Sequence, residues 1–379
     1  MPLTIHQVPK LVFGIDALSS AGEYLRALGI RRPFVVAAQS SAGHAQRLHP
    51  NAHVDSSTRN EPSVAHFSRL LDAARAYGPD AVVGIGGGSV LDAAKLVAAL
   101  CGRAQTLAEA WGIGNLAGRH LPLICIPTTS GTGSEVSPNA FLLDEESQSK
   151  KAVISAHLVP DAAFLDPALT VTLPAPVTAA TGLDALTHCI EAYANNFAHP
   201  LVDTWALDGI RHTARHLVTA VREPENIEAR TSLMLGSLYG GLCLGPVNTA
   251  AVHALSYPLG ARHHIPHGHA NAILLPHVLR FNLPAAPARY AAVALALGAE
   301  QQSTAEATAA AGIGRLWALI AETQLEMRLS ALRIAESEIP ALAAEGLAIT
   351  RLMRNNVRSM TQQDAELIYR AAFVGRRED

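Results

Sequence analysis

Short, unbroken apolar runs punctuate the first part of the chain, with helical spacing between them. Pro33–Ala38, Ala81–Ile85 and Leu121–Ile126 are runs of strand length, the last stopped by Pro127. Uninterrupted apolarity of that length predicts buried strands. Between the first two runs, residues Pro62 to Tyr77 carry apolar side chains at helical spacing. Strand, helix and strand in this order predict a parallel α/β sheet.

The texture changes after Asp166-Pro167. Long alanine- and leucine-rich segments take over, separated by Gly and Pro. Val177–Asn195, Pro200–Val221, Glu225–Leu244 and Ala286–Leu297 all predict helices, and the alanine-rich stretch from Thr304 to Ala311 reads as one more. The expected organisation is an α/β dinucleotide-binding domain over residues 1–173 and an all-helical metal- and substrate-binding domain over 174–379.

Composition narrows the classes. Of 379 residues, 49% are apolar and 16% charged, which excludes a disordered chain and allows two cores. A formal net charge of -3 lacks the broad positive field of a nucleic-acid binder, so no nucleic-acid partner is expected. No apolar run reaches the roughly 20 residues of a membrane helix, and Met1-Pro2-Leu3-Thr4 opens no secretory signal. A cytoplasmic protein without a membrane partner is the expectation. Cys101, Cys125, Cys189 and Cys243 lie far apart with no CxxC pair, as reduced buried thiols do.

Two loops carry candidate chemistry. Gly86-Gly87-Gly88-Ser89 follows a predicted strand and precedes a helical segment from Val90 to Leu100. Glycines admit close backbone approach, and the free N–H groups of the next helix favour a pyrophosphate. The alternative is an ordinary strand-to-helix turn. Because Ser89 stands where the last glycine of GxGxxG belongs, a relative of the Rossmann fold fits better than the ordinary one. The second loop, Pro127-Thr128-Thr129-Ser130-Gly131-Thr132-Gly133-Ser134-Glu135, offers hydroxyls to ribose, phosphate or carboxamide; taken alone it is also a plain polar turn. Both loops leave the carboxyl ends of predicted parallel strands, the usual ligand crevice.

Asp184 and His188 are four residues apart in a helical segment, hence on one face. Their neighbours are Ala, Leu, Cys and Ile, among which a lone charge is costly. A surface hydrogen-bonded pair is the plainer reading. With His253 and His267 they make a carboxylate and three imidazoles, a donor set for a first-row metal.

These residues together resemble the iron-containing (group III) alcohol dehydrogenase family over almost the whole length. The resemblance rests on Leu11-Val12-Phe13-Gly14, the run from Gly86 to Lys95, the run from Ile126 to Val136, Gly182-Leu183-Asp184-Ala185-Leu186-Thr187-His188, and Ile265-Pro266-His267-Gly268. It implies an N-terminal dinucleotide-binding α/β domain and a C-terminal helical domain with the active site in the cleft between them. It further implies metal ligands at Asp184, His188, His253 and His267, holding Fe²⁺ or sometimes Zn²⁺. Cofactor contacts are implied at Gly87, Gly88, Ser89, Thr128, Thr129, Ser137, Asn139 and Lys150, with Asp92 and Lys95 supporting the loop. The implied reaction is hydride transfer between NAD or NADP and a small alcohol, aldehyde or oxo acid, in a homodimer.

The chain departs from the family at Tyr257, where many members carry a second histidine four residues after the third ligand. A catalytic or substrate-contacting role passes to that tyrosine, although a phenol, titrating at about pH 10, is a poor base at neutrality; simple packing is the alternative. Arg262, His263 and His264, just before the last ligand, could hold a substrate carboxylate; a solvated loop is the plainer reading. After Val36 stand Ala37, Ala38, Gln39, Ser40 and Ser41, with neither an acid to reject a 2′-phosphate nor a cation to embrace it, so NAD is placed slightly ahead of NADP. Maleylacetate reductase or another oxo-acid reductase, a lyase of the dehydroquinate synthase type and a non-catalytic nucleotide-binding protein are the rival readings.

Overall fold

The computed structural model describes residues 3–59, 61–146 and 149–376. Met1 and Pro2, half of the N-terminal segment read for a leader, lie outside the described residues. The chain divides into two compact units, Thr4–Thr172 and the part from Leu173 onward, which also takes in Leu3.

The first unit runs β1 (Lys10–Phe13), α1 (Ala17–Ala27), β2 (Pro33–Ala37), α2 (Ala42–Leu48), β3 (His53–Asp55), α3 (Val64–Tyr77), β4 (Ala81–Gly86) and α4 (Gly88–Leu100). It continues through α5 (Leu107–Ala110), β5 (Gly112–Ile113), β6 (Leu123–Pro127), β7 (Asn139–Asp144), β8 (Ser149–Ile154) and β9 (Ala162–Leu165). Six parallel strands form one sheet in the order β1-β9-β6-β4-β2-β3. Its continuous apolar strands serve two cores at once. Phe34, Val36 and Val82 enter one cluster with Phe67 of α3 and Leu91 of α4. Val35, Val83 and Ile85 enter the other with Leu25 of α1 and Leu48 of α2. Successive residues face opposite sides of a strand, so burial on both faces demands apolar residues at every position.

The sheet corrects one detail and adds others. Pro127 does not stop its strand but ends it, paired with Gly86; a proline without an N–H is tolerated at a strand terminus. The expected helix from Pro62 begins only at Val64, because Ser63 caps it through the His66 N–H. A second, three-stranded sheet in the order β5-β8-β7, with β7 and β8 antiparallel, had no clear sequence signal.

The second unit is helical: α6 (Ala175–Tyr193), α7 (Pro200–Arg222), α8 (Ile227–Leu244), α9 (Ala251–His263), α10 (His267–Asn282), α11 (Pro287–Ala296), α12 (Ala305–Glu322), α13 (Ile339–Leu347), α14 (Thr350–Met353) and α15 (Gln362–Val374). One core runs through it, with α6 contributing Leu183, Leu186 and Ile190. Helix α6 is buried almost all round, which places Asp184 and His188 in the interior. No helix among the described residues is long and apolar enough to cross a membrane.

Arg262 and His263 do not lie in a loop. They complete the last turn of α9, where Arg262 pairs with Glu345 and His263 approaches Glu338 at 3.2 Å; His264 terminates the helix in the left-handed conformation. The Arg262 guanidinium at the helix C-terminus meets the negative end of its dipole. All four cysteines are buried and free, and burial pushes the Cys125 thiol up to about 12.

Candidate functional site

In the first unit the two loops touch. Gly87 caps α4 and Gly88 begins it, directly after β4. A Cβ on Gly88 would lie 2.6 Å from Thr132 Cγ2, so only glycine admits the second loop this close. Gly87, Gly88, Ser89 and Thr129 are half-buried, whereas Thr128 is buried. The loops leave β4 and β6 at their carboxyl ends. The chain order reverses between β2 and β4, the position where such sheets bind ligands.

A buried lysine braces this region. Lys95 Nζ donates to the carbonyl oxygens of Ser137 and Asn139, both at 2.9 Å, and to Ser137 Oγ at 3.3 Å. Asp92 accepts from Ser134 Oγ at 2.6 Å and from the Phe141 N–H at 3.0 Å. Ser137 and Asn139, expected at the cofactor, thus give their carbonyls to Lys95. The Asn139 Oδ1 and Ser130 Oγ atoms are buried without a hydrogen-bond partner. Lys150 pairs with Glu61, whose N–H donates to Ser89 Oγ at 3.2 Å, so the expected contact Lys150 stands near the glycine loop. Unpartnered buried acceptors beside a glycine cradle fit a polar ligand such as a dinucleotide.

Burial lowers the Lys95 ammonium and raises the Asp92 carboxyl. Glu135, at the end of the second loop, is pushed up to about 7 by burial, against the opposing pull of its own N–H and of Lys95. A cation does reach the position after β2 that the sequence left neutral: Arg59 Nη1 donates to Gln39 Oε1 at 2.7 Å. It comes from twenty residues downstream, so inspection of the β2 terminus alone missed it.

In the second unit four side chains from three helices converge. His188, His253 and His267 place Nε2 at 3.8, 3.6 and 3.7 Å from the same oxygen, Oδ1 of Asp184. Asp184, His188 and His253 offer ligand atoms within 4.8 Å of one another, all from buried residues. His267 is half-buried. Two ligands about 2.1 Å from one ion at a tetrahedral angle stand roughly 3.4 Å apart, so this spacing fits a first-row divalent ion.

Three residues unforeseen in the sequence complete the centre. Glu191 Oε2 lies 2.6 Å from His253 Nδ1, while its other oxygen accepts the Val252 N–H at 2.6 Å. A carboxylate on Nδ1 turns Nε2 toward the point where the imidazoles and Asp184 converge. Asn271 Nδ2 donates to Asp184 Oδ1 at 2.7 Å, one turn after His267. Helical spacing from His188 and from His267 would have located both. Arg351, from α14, donates to the Tyr257 hydroxyl at 3.3 Å, and no local pattern announces it. Tyr257 sits one turn after His253, its ring 5.8 Å from that of His267.

Burial alone would raise the Asp184 carboxyl, but His188, His267 and His253 together hold it far below the ordinary range. Burial would likewise lower His253, and its hydrogen bonds to Asp184 and Glu191 outweigh that and push it up to about 10. Both shifts have one cause: the buried carboxylates and imidazoles stabilise each other's charged forms.

Known proteins share this architecture. Residues 9–167 match the family described as iron-containing alcohol dehydrogenase, and residues 178–373 match its C-terminal part. Long-chain-alcohol dehydrogenase 1 of Geobacillus thermodenitrificans is 37% identical over 329 residues, covering 86% of this chain and 83% of that protein. The crystal structure of a 1,3-propanediol oxidoreductase superposes with a TM-score of 0.95 at 30% identity, over 98% of this chain and 100% of the other. Sulfoacetaldehyde reductase from Bifidobacterium kashiwanohense, solved with NAD⁺, gives a TM-score of 0.88 at 28% identity, over 98% and 99%. With both halves matched in order along one chain, this protein belongs to the iron-containing alcohol dehydrogenase family.

Proposed function

We propose that the protein transfers a hydride between a nicotinamide dinucleotide and a small alcohol or aldehyde at a metal centre. The observation that carries this reading is the convergence of three imidazole Nε2 atoms on one buried carboxylate oxygen. Asp184, His188, His253 and His267 would hold the ion, Fe²⁺ first and Zn²⁺ as the second choice. When bound, the ion supplies Lewis-acid polarisation of the substrate oxygen and the dinucleotide supplies the hydride acceptor or donor.

The chain's own residues do the rest. Glu191 fixes the tautomer and the orientation of His253. Gly87, Gly88 and Ser89 present backbone at a helix start for the pyrophosphate. Thr128, Thr129, Ser137, Asn139 and Lys150 would be further dinucleotide contacts, and Lys95 and Asp92 brace Ser137 and Ser134 near them. Tyr257 offers a hydroxyl to the substrate next to His267.

NAD is the dinucleotide that the NAD⁺-bound relative supports, and Arg59 beside Gln39 favours acceptance of NADP as well. A cytoplasmic homodimer is the remaining part of the reading; four buried reduced thiols support the compartment. Metal analysis joined to steady-state assays of short alcohols and aldehydes with NADH and NADPH tests the whole. Stoichiometric iron or zinc with dinucleotide-dependent turnover is expected. Absence of turnover from the metal-loaded protein across that panel would overturn it in favour of a nucleotide-binding protein without chemistry.

A further inference from the structure

Three helices carry the converging donors: α6 bears Asp184 and His188, α9 bears His253, and α10 opens on His267. A helix is one continuously hydrogen-bonded rod, so an axial slip at one end carries every side chain along with it. A metal site tolerates errors of only about 0.2 Å in its ligand distances. The donors can serve one ion only if the three rods keep their register.

One short segment, residues 354–358 after α14, ties the ends of all three. Just beyond α6, Asn195 forms an isolated antiparallel bridge with Asn356, and the Asn196 N–H donates to the Asn355 carbonyl at 2.9 Å. Two residues before α9, the Thr249 carbonyl accepts from Asn355 Nδ2 at 2.7 Å. At the last residue of α10, Asn282 and Asn356 exchange side-chain hydrogen bonds of 2.7 and 2.8 Å. A direct strut joins the first two helices: Asn195 Nδ2 donates to the carbonyls of Glu191 at 3.0 Å and Asn248 at 3.2 Å.

Asn195, Asn282, Asn355 and Asn356 are all buried. An apolar junction would avoid the cost of desolvating these amides. A reciprocal amide pair satisfies donor and acceptor in one register only, and a slip leaves both buried and unpaired. Asn248 adds a fixed bend: its φ of 74° is left-handed, and its Oδ1 accepts the Thr249 N–H at 2.8 Å. Asparagine enters that region more readily than most residues, and the chain thereby meets α9 from one defined direction.

We infer that Asn355 and Asn356 are positioning residues of the metal centre. They lock the three donor helices in axial register, and so set the affinity and geometry with which an ion is held, without touching a donor. This deepens the metal-centre reading and rests on it for the ion.

The test reads Zn²⁺ affinity by chelator competition and the visible spectrum of the Co²⁺-loaded full chain, beside unfolding midpoints of the same metal-free samples. Asn356→Leu strands the Asn282 amide; it should lower the midpoint and weaken Zn²⁺ binding about tenfold. Adding Asn282→Leu makes both partners apolar, so most of the midpoint should return. Affinity should stay about tenfold down in that double variant, with altered Co²⁺ bands, because those bands follow coordination geometry. Asn355→Leu removes the bond to Thr249 and leaves the amide pair intact; it should weaken Zn²⁺ roughly threefold and shift the same bands less. Wild-type affinity and an unchanged Co²⁺ spectrum in the double variant and in Asn355→Leu would reduce the network to ordinary packing and leave the metal centre standing. A wild-type protein that binds neither ion would overturn the metal reading, and the positioning role with it.

Discussion

Each unit buries a cluster of charge, and the two are closed in different ways. In the α/β unit, Lys95 is fully buried, yet its ammonium meets two carbonyls and a hydroxyl, while Asp92 meets a hydroxyl and an N–H. Protein satisfies protein, and the cluster calls for no ligand. In the helical unit, Asp184 is 2% exposed and faces three imidazole nitrogens, with Glu191 behind one of them. Nitrogen and oxygen atoms converge on one point there, and in the proposed reading a cation closes the set. Buried charge alone is thus no sign of a site. Convergence of like-natured donors is.

The sharpest way to break that contrast is to remove one converging donor. His267→Ala should lower metal affinity by about a thousandfold and take activity with it, checked by metal content after dialysis. Full metal retention would show that Asp184, His188 and His253 suffice. Next in size is Lys95→Met, which strips the self-satisfied cluster of its cation. It should cost about 3 kcal/mol of unfolding free energy, read by denaturant titration, with metal content unchanged. Loss of metal in that variant would tie the two clusters together.

Glu191→Gln should weaken metal binding by about ten- to a hundredfold, as removal of an orienting carboxylate does; competition against a chelator measures it. The smallest effect concerns Glu135. Its carboxyl is raised from 4.5 to about 7 in the fold. The folded state therefore binds the proton more tightly than the unfolded chain, and stability falls as pH rises from about 4.5 to about 7. Glu135→Gln should flatten that slope and gain about 3 kcal/mol well above pH 7, with little change below pH 4.5. Parallel thermal melts at pH 4.5 and 8 would show it, and equal gains at both would discredit burial as the cause.

Contiguous features were legible in the sequence. The glycine loop, the Asp184/His188 pair and the apolar strands each lie within a few residues, where period and turn chemistry govern. Glu191 and Asn271 were equally local, three residues from His188 and four from His267, and reading one more helical turn would have found them. Arg351 was not legible. It meets Tyr257 at a separation of 94 positions along the chain, through packing that no single-sequence pattern encodes. The tie between Arg59 and Gln39 escaped for the same reason, as did the small sheet formed by β5, β7 and β8.

The donors also have an order in time. Translation delivers Asp184 and His188 on α6 first, His253 much later and His267 last, at the opening of α10. Until that residue leaves the ribosome, the growing chain holds a carboxylate destined for the interior with only part of its complement. If these four side chains hold the metal as proposed, its complete capture is a late event in biogenesis, set by where the helices fall along the gene.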